Sequence, residues 1–438
     1  MRASPFPGQI LVSSAMLIKI GNYCRKNTLV SGSLVILAGS VFANLGAYLF
    51  HLLMGRYLGP INYGILESLI SIAYFLGIAN SSLNLILVKF ISQETSKEKI
   101  SLFVRKISQK VGLWGLVALG LFLAAFPLLK NLVMVSSFSL FFGLGIFSYL
   151  SLFLVIFSAV LQGLMKFRRL SFYNIFSSWS KLFMALIFIL LGLKVGGAIA
   201  AFVVATLLSV FLGYVLIKKN VCLNISGEIS LRNSFVNIWP YTRAVFFSNL
   251  TLVSFFTVDI ILARYFLSPI QAGYYASLAI LGKIIFFASN PISQVMFPLV
   301  SEKQAKKENF HKILWQSFLI VLAISGIILV IYFIVPGLMI SLLFGKNYLE
   351  ASGFLGIFAI FITLYSLCSL LINFFLSISK TRIIIFMFPF VFLQIVLICF
   401  WHSSIGQIIR VDIITLSLLF ITLLVYYLKN VCPSKTKT

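Results

Sequence analysis

Apolar runs of roughly 20 residues, parted by short polar breaks, recur along this chain from residue 29 to residue 428. Wound as a helix at about 1.5 Å per residue, each run can cross a hydrocarbon layer of about 30 Å. The pattern predicts twelve spans, at 29–54, 61–90, 111–129, 133–162, 170–193, 195–217, 235–263, 270–300, 313–335, 350–378, 383–401 and 408–428. The longest of these exceed the bilayer thickness and imply tilt or extension beyond it. The expected fold is therefore all-α and integral to the membrane.

Charge alternates from one polar break to the next. Basic residues gather in every second break: Lys89 to Lys110, Lys166 to Arg169, Lys218 to Arg232, Lys303 to Lys312, Lys380 with Arg382, and the tail. The breaks between them carry one each, namely Arg56, Lys130, Lys194, Arg264, Lys346 and Arg410. Cytoplasmic loops hold the excess of Lys and Arg, so both termini are expected inside. Residues 1–28 lack a small-residue cleavage site after their weak apolar stretch and read as a retained cytoplasmic segment.

The chain also resembles itself. Met-Gly-Arg-Tyr-Leu-Gly-Pro-Ile-Asn-Tyr-Gly at 54–64 is echoed by Leu-Ala-Arg-Tyr-Phe-Leu-Ser-Pro-Ile-Gln-Ala-Gly at 262–273. Arg56 pairs with Arg264 at an offset of 208, and Pro60 with Pro269 and Gly64 with Gly273 at 209. Six spans precede the 218–234 loop and six follow it, and an even number leaves both halves in the same orientation. The expectation is two parallel six-helix lobes, 29–217 and 235–428, related by a pseudo-two-fold axis along the membrane normal. The 218–234 loop and the 429–438 tail would be cytoplasmic.

Composition agrees with the spans. Hydrophobic residues make up 61% and charged residues 10%, with a mean hydropathy of +1.09, whereas soluble domains carry roughly a quarter charged. The net charge of +25 would suit nucleic acid, but its sources are the orientation-setting loops, so no nucleic-acid partner is expected. The five cysteines are scattered and read as free thiols. No metal-spaced histidine pair, nucleophile with a base, or Gly-rich phosphate loop occurs. The chain is not expected to be an enzyme or to hold a cofactor.

Candidate chemistry lies in the polar residues inside the spans. A charge at the bilayer centre costs about 2.5–3.5 kcal/mol on insertion scales, so such residues face a cavity or a partner. Lys181, Arg243, Lys283, Glu67 and Asp259 are of this kind. Lys283, Asn290 and Gln294 fall on one helix face, and shifting that face back by 209 gives Tyr74, Ser81 and Leu85. Glu67, Tyr74 and Ser81 form a matching seam, and Asn174 with Lys181 adds another. Arg243 could instead snorkel to the interface, and Asn290 and Gln294 could bond neighbouring helices. Asp259 is a candidate coupling-ion ligand or an interfacial carboxylate. The basic excess inside the membrane suggests an anionic cargo.

The twelve spans, the Arg56-Tyr57-Leu58-Gly59-Pro60 turn followed by Tyr63-Gly64, and Asp259-Ile260-Ile261-Leu262 followed by Ala272-Gly273-Tyr274-Tyr275 resemble polysaccharide-biosynthesis flippases of the Wzx type. These form a branch of an exporter superfamily that also holds multidrug exporters and lipid II flippases. The resemblance implies a prokaryotic inner-membrane protein that moves a polyprenyl-pyrophosphate-linked oligosaccharide to the outer leaflet. It implies alternating access around a cationic cavity and coupling to an ion such as H+ or Na+. Lys181, Arg243 and Lys283 would hold the pyrophosphate, with Glu67, Tyr74, Ser81, Asn174, Asn290 and Gln294 lining the cavity. Membrane lipid, glycan polymerase and glycosyltransferases of the same pathway are the implied partners. The alternatives are a multidrug exporter of the same superfamily, which would want acidic residues in its cavity, and a membrane glycan polymerase or ligase, which would want a large outer loop.

Overall fold

The computed structural model describes residues 28–94, 96–221, 239–380, 383 and 387–431. Most of the N-terminal segment, the inter-lobe loop and the C-terminal tail expected from the sequence therefore lie outside the described residues. What is described is helical, with no strand among it.

The helices are α1 Thr28–Leu76, α2 Ile78–Gln93, α3 Lys97–Ala124, α4 Phe126–Leu132, α5 Phe138–Gly163, α6 Phe167–Leu190 and α7 Lys194–Ile217. After the loop come α8 Trp239–Phe255, α9 Val258–Phe266, α10 Pro269–Ala305, α11 His311–Ile334, α12 Pro336–Leu343, a 3₁₀ turn Lys346–Ala351, α13 Ser352–Ser377, α14 Phe388–Phe400 and α15 Ile405–Asn430. Among the described residues, ten segments are long and apolar enough to cross a membrane. One of these, 38–92, holds two predicted spans, which meet at a kink where Gly59 takes φ +68° just before Pro60. The short apolar helix α14 stands where the 383–401 span is predicted. At 13 residues it is about 20 Å long, less than a bilayer core.

Two predicted spans are interrupted, and a third break, at Gly59–Pro60, falls between two spans. Pro60 cannot donate a backbone hydrogen bond, and only glycine adopts the left-handed conformation before it without steric cost. Gly77 separates α1 from α2 in the middle of the expected 61–90 span. The expected 235–263 span divides at Phe256 and Thr257, and α10 then starts with Ser268 capping the Gln271 amide and Pro269 in the first turn.

Helix packing sorts the elements into two sets. In the first half α1 lies on α6, α6 on α7, and α5 takes α2, α3 and α7; in the second α13 runs through the middle, against α10, α11 and α15. α13 is buried over most of its length, through Phe358, Phe361, Phe374 and Phe375 among others. Large apolar side chains facing outward, such as Trp114, Leu121, Phe211 and Phe400, are placed for lipid tails rather than water. The two lobes meet mainly where α1 packs on α10 and α2 on α8. At the centre of that seam Gly64 lies against Gly273, its repeat partner. A Cβ on Gly64 would come within 3.0 Å of the Gly273 nitrogen, and one on Gly273 within 2.0 Å of the Pro60 carbonyl oxygen. The glycines of the duplicated motif are therefore there to let two backbones touch.

Candidate functional site

Two adjoining pockets open between the lobes. One, of about 570 Å³, is walled by α1, α2, α5, α6 and α7 and includes Asn44, His51, Tyr74, Asn80, Ser81, Asn174, Ser178 and Lys181. The other, of about 500 Å³, belongs to the second lobe and includes Phe256, Asn290, Ser293, Gln294, Tyr365 and Asn373. Asn249 and Val253 of α8 line both, so the two form one cleft. Its lining extends from mid-helix toward the basic ends of the helices. Toward the other face the lobes close on the Gly64–Gly273 contact and on packed rings of Tyr63, Tyr274, Phe344 and Tyr348.

The lining has a distinct chemistry. Asparagine side chains project from α1, α2, α6, α8, α10 and α13, interleaved with the faces of Tyr74, Phe147, Phe202, Phe256 and Tyr365. Amides offer donors and acceptors together, and aromatic faces pack on the apolar faces of ring-shaped ligands. Lys181 is the one Lys or Arg in the lining. Its Nζ stands 5.4 Å from the centroid of Phe147 and 5.9 Å from that of Phe202.

Of the sequence-predicted residues, Tyr74, Ser81, Asn174, Lys181, Asn290 and Gln294 all line this cleft. Lys283 does not line it but lies directly beneath, only 7% exposed. Its Nζ is 5.1 Å from the Tyr74 ring centroid and 5.4 Å from that of Phe256, and it makes no hydrogen bond. Cation–π contact with rings from both lobes offsets part of its burial. Arg243 is exposed on α8 and lines neither pocket. The structure thus brings Lys181 and Lys283 to one cleft and leaves Arg243 six residues, roughly 9 Å of helix, away from Asn249.

Glu67 is fully buried behind the wall rather than in it. Its carboxylate lies 2.5 Å from His51 Nδ1, and the Tyr63 hydroxyl is 3.4 Å from the same nitrogen. His51 itself faces the cleft, so the first lobe holds an acid–imidazole pair with one member reachable from the cavity.

Asp259 sits in a separate buried cluster of the second lobe. The Tyr275 hydroxyl is 2.8 Å from Asp259 Oδ2 and 2.9 Å from Asp412 Oδ2, and the Gln394 amide donates to Asp412 Oδ1 at 2.8 Å and to the Phe255 carbonyl at 3.1 Å. A phenol carries one proton and can donate to only one carboxylate, so the second short contact requires another proton or cation between the acids. The repeat relates one member of each group: His51 maps on Asp259 at the offset of 208 that holds before the one-residue slip. Asp412, Gln394, Asn249 and Asn373 escaped the sequence reading. Asp412 was detectable as a carboxylate within an apolar run; the asparagines, one per helix, carry no pattern until the helices are assembled.

Comparison with known proteins adds the family. The family model described as "Polysaccharide biosynthesis protein" matches residues 29–304. Among solved structures, the chain is similar to a multidrug resistance MATE family transporter of the MOP superfamily in its inward-facing conformation, with a TM-score of 0.73 at 12% identity over 86% of this chain and 93% of that one. It is similar to the lipid II flippase MurJ in an inward closed conformation, with a TM-score of 0.71 at 14% identity over 90% and 88%. Against an outward-facing MATE family transporter the TM-score is 0.62, at 15% identity over 92% and 94%. A search of curated proteins found no match.

Proposed function

Because the chain belongs to the polysaccharide biosynthesis protein family, we propose that it is a flippase. It carries a polyprenyl-pyrophosphate-linked oligosaccharide from the cytoplasmic to the outer leaflet of a prokaryotic inner membrane for surface polysaccharide biosynthesis, by alternating access of its two lobes. The observation that carries this reading is the chemistry of the cleft. Lys181 stands on its wall and Lys283 beneath its floor, while the buried acids Glu67, Asp259 and Asp412 line no part of it. A low-dielectric cleft with positive charge and no lining carboxylate favours an anionic headgroup and disfavours the cationic drugs of a multidrug exporter.

In this reading Lys181 and Lys283 attract the pyrophosphate, and Arg243, at the basic end of α8, draws it toward the mouth. Asn174, Asn290, Gln294 and Ser81 bond sugar hydroxyls, and Tyr74 packs on a ring. The polyprenyl tail stays in lipid. Asp259 and Asp412 take up and release a coupling ion, H+ or Na+, around Tyr275. Glycosyltransferases and a glycan polymerase of the same pathway would supply and consume the cargo.

Transfer of a fluorescent lipid-linked oligosaccharide across vesicles containing the purified protein tests the proposal. Protein-dependent transfer that an excess of unlabelled lipid-linked glycan suppresses is expected. Vesicles that export cationic dyes but leave the glycan in its original leaflet would overturn it.

A further inference from the structure

The duplicated motif that stands out in the sequence has a role the cleft does not use. Arg56, at the end of the first span, reaches across to the other lobe: its Nε donates to the Leu343 carbonyl at 3.0 Å and its Nη2 to the Leu342 carbonyl. Arg264, its repeat partner, reaches back, with Nε donating to the Val133 carbonyl at 3.2 Å. The acceptors are themselves equivalent. Val133 caps the short helix α4 and Leu342 lies in the last turn of the short helix α12. Val133 and Leu342 are 209 residues apart, as are Pro127 and Pro336 in the first turns of those helices. Both helices end in a left-handed residue, Met134 at φ +50° and Gly345 at φ +96°. The carbonyls at a helix C-terminus lack intrahelical partners and carry partial negative charge, so a guanidinium there is held by charge-assisted hydrogen bonds.

We infer that Arg56 and Arg264 form a reciprocal pair of inter-lobe clamps that hold the non-basic face of the cleft shut and must release for that face to open. Four observations converge on this. Each arginine joins opposite lobes, and the two contacts are related by the repeat. They flank the closed Gly64–Gly273 seam rather than the cleft. The Tyr348 hydroxyl adds a bond to the Gly55 carbonyl, 2.8 Å away, beside Arg56. Rocking the lobes apart at this face separates α1 from α12 and α9 from α4, so neither arginine can keep its acceptor. The two sides are unequal, since Arg264 is buried and Arg56 exposed, which lets the Arg56 side release first. The inference rests on the alternating-access reading above.

The test uses Ser81→Cys in the full chain as a cavity reporter, with the unsubstituted chain as background, in intact cells and inverted vesicles. A membrane-impermeant maleimide reports access from each face. Arg56→Gln with Arg264→Gln is expected to raise labelling from the outer face at least tenfold and to lower it from the cytoplasmic face. If removing buried Arg264 prevents folding, Arg56→Gln with Tyr348→Phe loosens the other corner and is expected to give a rise of the same sign. Should the arginine-bearing protein be labelled from both faces while the variants change neither rate, the clamp is rejected and alternating access stands. Should no form of the protein be labelled from the outer face even with cargo present, alternating access itself fails and the clamp with it.

Discussion

Lys283 and Tyr74 occupy matching places in the two halves of the chain, 209 residues apart, and they meet across the seam with Nζ 5.1 Å from the ring centroid. Gly64 and Gly273 meet in the same way ten residues, about three turns, nearer the closed face. Positions related by a two-fold axis touch only when they lie beside it, so these pairs trace the axis down the middle of the protein. The cleft opens where that line of contacts ends.

Charge at the axis should matter for cargo more than charge at the mouth. Hydrogen bonds to charged groups contribute about 1.5–3 kcal/mol, so replacing both Lys181 and Lys283 by Gln should slow glycan transfer by roughly ten-fold or more. Arg243→Gln, exposed and outside the lining, should cost far less. Initial transfer rates in vesicles, normalised to the amount of inserted protein, make the comparison. Equal losses from both changes would move the binding site to the mouth.

The acid cluster around Tyr275 should govern coupling rather than cargo binding. Asp412→Asn leaves one carboxylate for the Tyr275 proton and removes the demand for a second proton or cation. Transfer driven by an imposed proton or sodium gradient should then fall to the rate without a gradient, while binding of the glycan is retained. Tyr275→Phe should act in the same direction. Gradient-driven transfer that survives both changes would separate this cluster from coupling.

His51 and Glu67 should prove energetically coupled. Removing one partner of a buried pair costs about 3–5 kcal/mol when the other is left charged. Glu67→Ala should therefore destabilise more than Glu67→Ala combined with His51→Ala, with an interaction energy of roughly 1–3 kcal/mol. Thermal unfolding of the four forms in detergent measures it, and strict additivity would count against a working pair.

The glycine contact should be intolerant of a single methyl group. Gly273→Ala would place a carbon 2.0 Å from the Pro60 carbonyl oxygen, and the forced shift of the seam should cost about 1–3 kcal/mol. Gly64→Ala, with its nearest approach at 3.0 Å, should cost less. The order of their melting temperatures is the check.

Several features of the candidate site are legible in the sequence. The 7-and-4 spacing of Lys283, Asn290 and Gln294 set them on one helix face, and the structure keeps that face toward the seam. Lys181 and Asn174 were likewise on the face that α6 turns to the cleft. Arg243 shared the same in-span signal yet is exposed, because hydropathy records that a residue is unusual in a span and not which way it points.

The sequence alone determined the helical, membrane-spanning class and the internal repeat, since apolar length and repetition are properties of the chain taken in order. It could not reveal that Arg56 reaches Leu343, that Tyr275 joins Asp259 to Asp412, or that six helices each lend an asparagine to one cleft. These groups are far apart along the chain, and each is ordinary within its own helix. Only packing across the two-fold axis, where apolar burial fixes how the helices are turned, makes neighbours of them and divides the buried acids from the cleft that Lys181 lines.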